Sequence, residues 1–299
     1  MNVRKVVPSG YCKGVVRAIR IALDARRDFP QEPVYVAGMI VHNRYVAEAL
    51  EQKGIITLDD SRSKEEWINS LDHGVLIFSA HGIAQYYKDL ARSRGLIVID
   101  ASCEDVIETQ KIITRELMAG KEIFYIGKKG HPEAEAVLSL SDHIHLLEDP
   151  RDLPEVEGEV FVTNQTTMSI FEVAGFSEMI RVKYPDAEFQ QEICQATSSR
   201  QQALLRLFDA DLLYVVGDPR SNNSNKLAEI ARKAGIPRVR MIEDVRGVKE
   251  EDLLDKKNVC VTAGASTPPY LSQQVLDTIK KYADSGILEI PEIEIDKIL

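Results

Sequence analysis

Three of the four cysteines are evenly spaced along the chain. Cys103 follows Cys12 by 91 residues, and Cys194 follows Cys103 by the same interval. Equal spacing of a scarce residue indicates an internal repeat, and thiolates are preferred ligands of soft metals and iron–sulfur clusters. The spacing therefore predicts one site that uses all three thiols. Cys260 has no counterpart in this series and lies inside the apolar run NVCVTAG, so we expect it in the core.

Thiol chemistry alone leaves two kinds of metal site open. A structural zinc takes four protein ligands, usually from CxxC knuckles, and the sequence has no CxxC. A [4Fe–4S] cluster held by three cysteines leaves one iron without a protein ligand, and an open metal position can serve a substrate. The pattern favours an iron–sulfur cluster over zinc.

Polar side chains follow the ends of the predicted strands in every repeat. They are His42, His81, His131, Thr166, Thr167, Ser221, Asn223 and Ser266. Neutral donors and histidines at several helix N-termini suit a phosphate or diphosphate. Glu133, two residues after His131, is a carboxyl group among these donors and could supply a proton.

The elements that must position these groups recur in the same order. Each of the three cysteines lies between a short extended segment and a helix-like run, and an apolar strand ending in glycine follows: VYVAG, IFYIG and LLYVVG. Apolar strands that alternate with amphipathic helices predict α/β units with parallel sheets. We expect units at residues 1–101, 102–190 and 191–285, a tail at 286–299, and loops that converge on one pseudo-threefold centre.

Composition narrows the functional class. The chain has 299 residues, 44% of them hydrophobic and 28% charged, and a formal net charge of −10. This charge argues against a general binder of nucleic acid or anionic membranes. The start MNVRKVVPSGY has no apolar targeting core, so we expect a cytoplasmic protein without a disulfide framework.

Nine short motifs together resemble those of one enzyme family. GYCKGVVRAI, IVHN, FSAHG, ASC, GHPE, NQTTMS, ICQATSSRQ, SNNSNKL and TAGAST occur in this order over roughly residues 8–285, and the set resembles the 4-hydroxy-3-methylbut-2-enyl diphosphate reductase (IspH/LytB) family. The resemblance implies a trefoil of three α/β domains around a [4Fe–4S] cluster, with Cys12, Cys103 and Cys194 as its ligands and one open iron.

The same resemblance implies an activity and residue roles. The allylic hydroxyl is removed reductively to give isopentenyl and dimethylallyl diphosphate, the last step of the non-mevalonate isoprenoid pathway, with electrons from a ferredoxin or flavodoxin. Glu133, beside His131, and Thr166 or Thr167 would position and protonate that hydroxyl. The residues implied for the diphosphate are His42, His81, His131, Ser221, Asn223 and Ser266.

Several positions depart from the family pattern. Glu104 stands where proline usually follows the second cysteine, with Asp105 next; Glu192 replaces a threonine, and Asn222 replaces a serine. AEAVLSLSD also replaces a glycine-containing continuation after HPE. These differences leave three alternatives open: a divergent member acting on another substrate, a non-catalytic sensor that carries the cluster, and a metal-free α/β protein that binds phosphosugars.

Overall fold

A computed structural model describes residues 1–59 and 61–299. The strands in this part of the chain are β1 (Asn2–Lys5), β2 (Val34–Ala37), β3 (Ile55–Leu58), β4 (Val75–Phe78), β5 (Ile97–Asp100), β6 (Glu122–Ile126), β7 (Ile144–Leu147), β8 (Val160–Asn164), β9 (Glu188–Phe189), β10 (Leu212–Val216), β11 (Arg238–Ile242) and β12 (Asn258–Ala263). The α-helices are α1 (Lys13–Asp28), α2 (Arg44–Glu51), α3 (Lys64–Ser70), α4 (Gln85–Ser93), α5 (Glu104–Met118), α6 (Pro132–Leu138), α7 (Ile170–Lys183), α8 (Gln195–Leu204), α9 (Asn222–Lys233), α10 (Glu250–Leu253) and α11 (Pro269–Ser285). Two 3₁₀ turns complete the set, at Val245–Gly247 and Ile295–Lys297.

The strands form three four-stranded sheets whose paired strands are all parallel. The first sheet has the order β3-β2-β4-β5, the second β7-β6-β8-β9 and the third β11-β10-β12-β1. Central strands such as VLIF and LLYVV are buried along their whole length, as expected when helices cover both faces of a parallel sheet. The predicted fold class, three α/β units with parallel sheets, is confirmed.

The strand that leads into each cysteine has the same place in its sheet. β5 precedes Cys103 and pairs with β4, and β9 precedes Cys194 and pairs with β8. β1, which precedes Cys12, pairs with β12 from Asn2↔Asn258 to Lys5↔Val261. Assigning residues 1–101 wholly to the first unit was therefore wrong for β1, because it extends the ladder of the third sheet. The remaining unit boundaries stay predictions.

Contacts divide the chain into two compact units. The terminal unit comprises Met1–Val16, Val41–Gln52 and Gln195–Leu299, and the middle unit comprises Arg17–Ile40 and Lys53–Cys194. The third sheet lies in the terminal unit, and the first and second sheets lie in the middle unit. Each unit has its own apolar core, built around Leu213 and Val215 in the terminal unit and around Phe78 and Phe124 in the middle unit.

The C-terminal tail packs against the terminal unit. Ile298 is buried, and its carbonyl accepts a hydrogen bond of 3.0 Å from the Tyr11 hydroxyl. Gln274 Nε2 of α11 donates to the carbonyl of Glu292 at 2.6 Å. The tail therefore docks on its own unit through the Ile298 side chain and the carbonyls of Glu292 and Ile298. Among the described residues, no helix is both long enough and apolar enough to cross a bilayer.

Candidate active site

The three evenly spaced cysteines have matching backbone positions. Each lies directly before a helix, namely α1, α5 or α8, and each is partly buried. Each cysteine N–H donates to a carbonyl two residues beyond a strand end: Cys12 to Ala265 (3.1 Å), Cys103 to Ala80 (2.9 Å) and Cys194 to Thr166 (3.1 Å). The three accepting carbonyls follow β12, β4 and β8. The same local backbone geometry therefore places a cysteine at the start of a helix in all three cases.

Cys260 has a different environment. It is fully buried in β12, and its Sγ accepts a hydrogen bond from Arg4 Nε at 3.3 Å. This burial confirms the expected position in the core. It also raises the pKa of the thiol. All four cysteines lack a disulfide bond, and within residues 1–59 and 61–299 no three His, Cys, Asp or Glu side chains meet at metal-ligand geometry.

Glu133 lies at the centre of the polar groups of the middle unit. The residue is 1% exposed, although it is in the first turn of α6. Thr166 donates to both of its carboxyl oxygens, from N–H to Oε1 and from Oγ1 to Oε2, each at 2.8 Å. Burial raises the pKa of Glu133 to about 7, against the opposing effect of the two Thr166 hydrogen bonds. A carboxyl with this pKa can hold or release a proton near neutrality.

Tyr125 donates a third hydrogen bond to this carboxyl, and sequence reasoning missed it. Its hydroxyl donates to Glu133 Oε1 at 3.3 Å, and the side chain is fully buried in β6. Burial, and then the nearby Glu133, raise the pKa of Tyr125 well above its usual value. The only signal in the sequence is one hydroxyl-bearing residue in the apolar strand IFYI. That signal does not reveal a partner eight residues away.

Two predicted histidines meet in the middle unit. His131 is the N-cap of α6, and its Nδ1 accepts a hydrogen bond from the Glu133 N–H at 3.2 Å. The ring of His81 packs edge-on against the His131 ring, with centroids 5.7 Å apart. Ser79 Oγ lies 3.4 Å from His81 Nδ1. His81, His131 and Glu133 are therefore neighbours, as two loops from separate sheets bring them together.

The loop after β8 orients the two threonines. Gln165 Nε2 donates to Thr167 Oγ1 at 2.8 Å, while its Oε1 accepts from the Lys128 N–H at 3.0 Å. Thr166 is buried, and Thr167 is partly exposed. Thr166, through its N–H and hydroxyl, is the threonine that contacts Glu133, and its carbonyl accepts from the Cys194 N–H. The structure thus distinguishes two residues that the motif left equivalent.

The polar residues of the terminal unit form one hydrogen-bonded group. Ser221 is the N-cap of α9, and its Oγ accepts from Ser224 N–H (3.4 Å) and Ser266 Oγ (3.2 Å). Ser266 Oγ also lies 3.1 Å from the carbonyl of His42. Asn223 Oδ1 accepts from Ala265 N–H at 3.0 Å. Ser221, Asn223, Ser266 and the His42 loop therefore lie together at the N-terminus of a 12-residue helix.

Two glycines at strand ends make room for Ser224. A Cβ on Gly217 would come within 2.2 Å of Ser224 Oγ, and one on Gly264 within 2.0 Å. Ser224 is fully buried, and its Oγ donates to Ser221 Oγ at 3.2 Å. The close approach of backbone and helix explains glycine at both positions. Ser224 belongs to this polar group, although sequence reasoning did not single it out.

The residues that depart from the family pattern lie in both units. Asp105 Oδ2 is 3.8 Å from Cys103 Sγ. The charge of Asp105 acts on two other carboxyls, since it contributes to the raised pKa of Glu133 and of Glu192. Burial is the main cause of the raised pKa of Glu192. Glu104 is exposed at the start of α5, and Asn222 is buried at the start of α9.

Comparisons with known proteins agree on one family. The sequence model described as "LytB protein" matches residues 3–280. A 4-hydroxy-3-methylbut-2-enyl diphosphate reductase of Anoxybacillus flavithermus is 44% identical over 289 residues, which cover 94% of this chain and 91% of that protein. The protein of the same name from Macrococcus caseolyticus is 42% identical, over 100% of this chain and 96% of its own length.

Solved structures agree with these relatives. The E-1-hydroxy-2-methyl-but-2-enyl-4-diphosphate reductase of Plasmodium falciparum superposes with a TM-score of 0.86 at 27% identity, covering 99% of this chain and 96% of that chain. A second reductase structure, described as the terminal enzyme of the non-mevalonate pathway, has a TM-score of 0.67 at 26% identity over 94% and 100% of the two chains. The resemblance inferred from the motifs is confirmed, and the chain belongs to the LytB protein family.

Proposed function

We propose that this chain is a reductase that removes the allylic hydroxyl of 4-hydroxy-3-methylbut-2-enyl diphosphate to give isopentenyl and dimethylallyl diphosphate. The proposal rests on full-length relatives that carry this name and on one structural observation. That observation is the buried Glu133 carboxyl, held by Thr166 beside His131 with a pKa of about 7. A proton donor of this kind has no use in a sensor or a passive binder. The alternative of another substrate is not favoured, because the similarity extends over the whole chain.

The donor set fits an iron–sulfur cofactor. Cys12, Cys103 and Cys194 are partly buried thiols with matching backbone geometry, and helix N-termini favour their thiolate forms. In this proposal they ligate a [4Fe–4S] cluster and leave one iron open. When bound, the cluster supplies electrons one at a time at low potential.

Glu133 and Thr166 supply the proton that the departing hydroxyl needs. Glu133 Oε2 is 2.8 Å from Thr166 Oγ1, so a proton held on the carboxyl can pass through the threonine hydroxyl to the substrate oxygen. Thr167, oriented by Gln165, offers a second hydroxyl at the same loop. Protonation makes the leaving group water rather than hydroxide, which lowers the barrier to breaking the carbon–oxygen bond.

Neutral donors hold the diphosphate in this scheme. Ser221, Asn223 and Ser266 lie at the N-terminus of α9, where the helix dipole favours anions. The hydrogen bond from Ser266 Oγ to Ser221 Oγ and the one from Ala265 N–H to Asn223 Oδ1 keep these side chains oriented before the substrate replaces some of these contacts. His42, His81 and His131 complete the proposed contacts. A ferredoxin or flavodoxin as electron donor, and a cytoplasmic location, stay predictions.

Reconstitution under anaerobic conditions tests the proposal. We expect brown protein with about four irons per chain that converts the named substrate with dithionite-reduced methyl viologen. Protein that stays colourless and free of iron would contradict the cofactor. Iron-loaded protein that fails to convert the substrate would contradict the reaction.

A further inference from the structure

Asp218 is a buried carboxylate of the terminal unit that the proposed mechanism does not use. It is 2% exposed and lies between the end of β10 and Ser221, the N-cap of α9. Its carbonyl accepts a hydrogen bond from the Ser221 N–H at 2.9 Å. A carboxylate that is withdrawn from water is costly unless hydrogen bonds and opposite charges satisfy it. The partners of this carboxylate therefore indicate its role.

The two carboxylate oxygens of Asp218 bind the backbone of two separate loops. Oδ1 accepts a hydrogen bond from the N–H of Arg220, the residue before Ser221, at 2.9 Å. Oδ2 accepts one from the N–H of Arg44 at 3.1 Å, although Arg44 is 174 positions away. Arg44 begins α2, two residues after His42. Asp218 thus joins the His42 loop to the Ser221 loop, and both loops belong to the terminal unit.

Arg220 offsets the charge of this carboxylate. Its guanidinium donates from Nε to Oδ1 at 3.1 Å and from Nη2 to Oδ2 at 3.0 Å. Burial by itself raises the pKa of Asp218, but the hydrogen bonds and charge of Arg220 outweigh burial and hold this pKa below its ordinary value. The ion pair is therefore formed at neutral pH. Asp218 can lie beside a proposed anion site because its own charge is paired.

Ser266 makes a second connection between the same two loops. Its Oγ lies 3.1 Å from the carbonyl of His42 and 3.2 Å from Ser221 Oγ. A hydroxyl has one proton to donate, so a phosphate oxygen that takes the proton of Ser266 replaces one of these contacts. The bonds of Asp218 go to backbone N–H groups instead. Asp218 therefore keeps the loops joined when the substrate changes the contacts of Ser266.

We propose that Asp218 is a positioning residue that holds the His42 and Ser221 loops together for binding of the diphosphate. This inference rests on the proposed function, because it concerns the same proposed contacts. Loops that are already joined lose less conformational entropy when the ligand binds, so affinity is higher. Asp218 acts through the backbone of the two loops. Its loss should therefore weaken binding and leave the chemical step nearly unchanged.

Asp218→Asn tests the connection with almost no change of shape. Asparagine has a single side-chain oxygen, so it can accept from the N–H of Arg44 or of Arg220, while its NH₂ faces the other. We expect the KM for the named substrate to rise about five- to tenfold, with kcat within about twofold of the wild type. The iron content should not change.

Asp211→Asn is the matched control at the opposite end of β10. Asp211 Oδ2 also accepts two backbone N–H groups, from Lys257 and Asn258, each at 2.8 Å. Its substitution should leave the KM as in the wild type. An unchanged KM in Asp218→Asn, or an equal rise in Asp211→Asn, would overturn the positioning role.

Arg44→Pro breaks the same connection from the other side. Proline is favoured at the first position of a helix, and Asn43 before it is extended, with φ −160° and ψ 117°, as a residue before proline should be. Proline has no N–H, so the bond to Asp218 Oδ2 is lost. Arg44→Ala removes the same side chain and keeps the N–H. We expect a KM about fivefold higher in Arg44→Pro than in Arg44→Ala. Equal KM values would overturn the role, even if Asp218→Asn did not fold.

Calorimetric titration of the iron-loaded protein with inorganic diphosphate separates the two proposals, because it requires no turnover. Weaker binding by Asp218→Asn than by the wild type and Asp211→Asn would support the positioning role, even if the named substrate were not converted. Equal binding by all three proteins would overturn it. Failure to convert the substrate, together with weaker binding by Asp218→Asn alone, would contradict only the proposed reaction.

Discussion

Thr166 holds Glu133 through both carboxyl oxygens, with its N–H on Oε1 and its hydroxyl on Oε2, each at 2.8 Å. The carbonyl of the same threonine accepts the N–H of Cys194 at 3.1 Å. One residue therefore fixes the orientation of the proton-holding carboxyl and the backbone of a proposed cluster ligand. This arrangement keeps the carboxyl from rotating away, which is what positioned acid catalysis requires.

Replacing Glu133 by glutamine should remove the proton without removing the packing. We expect Glu133→Gln to keep the iron content and visible spectrum of the wild type and to lose at least about 100-fold in kcat. Glu135→Gln is the control, because Glu135 lies on the same helix and pairs at the surface with Lys64 at 3.3 Å. Near-normal turnover in Glu133→Gln, measured with reduced methyl viologen, would exclude Glu133 as the proton source.

The raised pKa of Glu133 also predicts how stability depends on pH. The pKa is about 7 in the folded chain against 4.5 for an ordinary glutamate. Between these values the folded state binds more protons than the unfolded state. The contribution of Glu133 to the free energy of unfolding therefore falls as pH rises through this window, by up to about 3 kcal/mol.

Urea denaturation of wild type and Glu133→Gln across this pH range measures the effect. The difference in unfolding free energy should shift in favour of the variant as pH rises, since glutamine does not titrate. The other carboxyls titrate in both proteins, so their effects cancel. A difference that stays constant with pH would show that Glu133 has an ordinary pKa.

Tyr125→Phe should change the pH dependence of kcat, because the Tyr125 hydroxyl affects the pKa of Glu133. The Tyr125 hydroxyl stabilises the ionised carboxyl at 3.3 Å and lowers its pKa. Its loss should therefore move the decline of kcat on the alkaline side to higher pH. Tyr214→Phe, at another fully buried tyrosine in a central strand, is the control and should leave the profile in place. A lower kcat without displacement of the profile would mean that Tyr125 serves only packing.

Gly264→Ala should disturb the proposed diphosphate contacts by displacing Ser224. The new Cβ would lie 2.0 Å from Ser224 Oγ, so we expect a loss of about 1–3 kcal/mol in unfolding free energy and a higher KM for the substrate. Adding Ser224→Ala should recover part of the stability. Gly175→Ala, where a Cβ meets nothing within 4 Å, should be close to neutral. A neutral Gly264→Ala would contradict the close approach.

Cysteine-to-serine substitutions distinguish the proposed cluster ligands from the core cysteine Cys260. Cys103→Ser should abolish the visible absorbance and iron content after reconstitution, whereas Cys260→Ser should retain both, because Cys260 is buried in β12 with Arg4 as its partner. The matched positions of Cys12 and Cys194 predict the same loss as Cys103. Retention of iron by Cys103→Ser would mean that the ligand set is wrong.

The sequence by itself determined the repeat, the fold class and the family. A cysteine before a helix, followed by an apolar strand that ends in glycine, recurs three times and identifies α/β units, because strand and helix periodicity are local properties. The equal spacing of Cys12, Cys103 and Cys194 identified three residues that share one backbone geometry. Ordered motifs then sufficed to recognise the family.

Only the tertiary structure decided which groups touch. β1 joins β12 across 256 positions because an exposed sheet edge accepts any strand of suitable register. Thr166 rather than Thr167 reaches the carboxyl, and Tyr125 joins it. Glu133 has a pKa of about 7 because burial opposes its charge. Contacts and desolvation arise from packing between distant segments, so no local pattern could specify them.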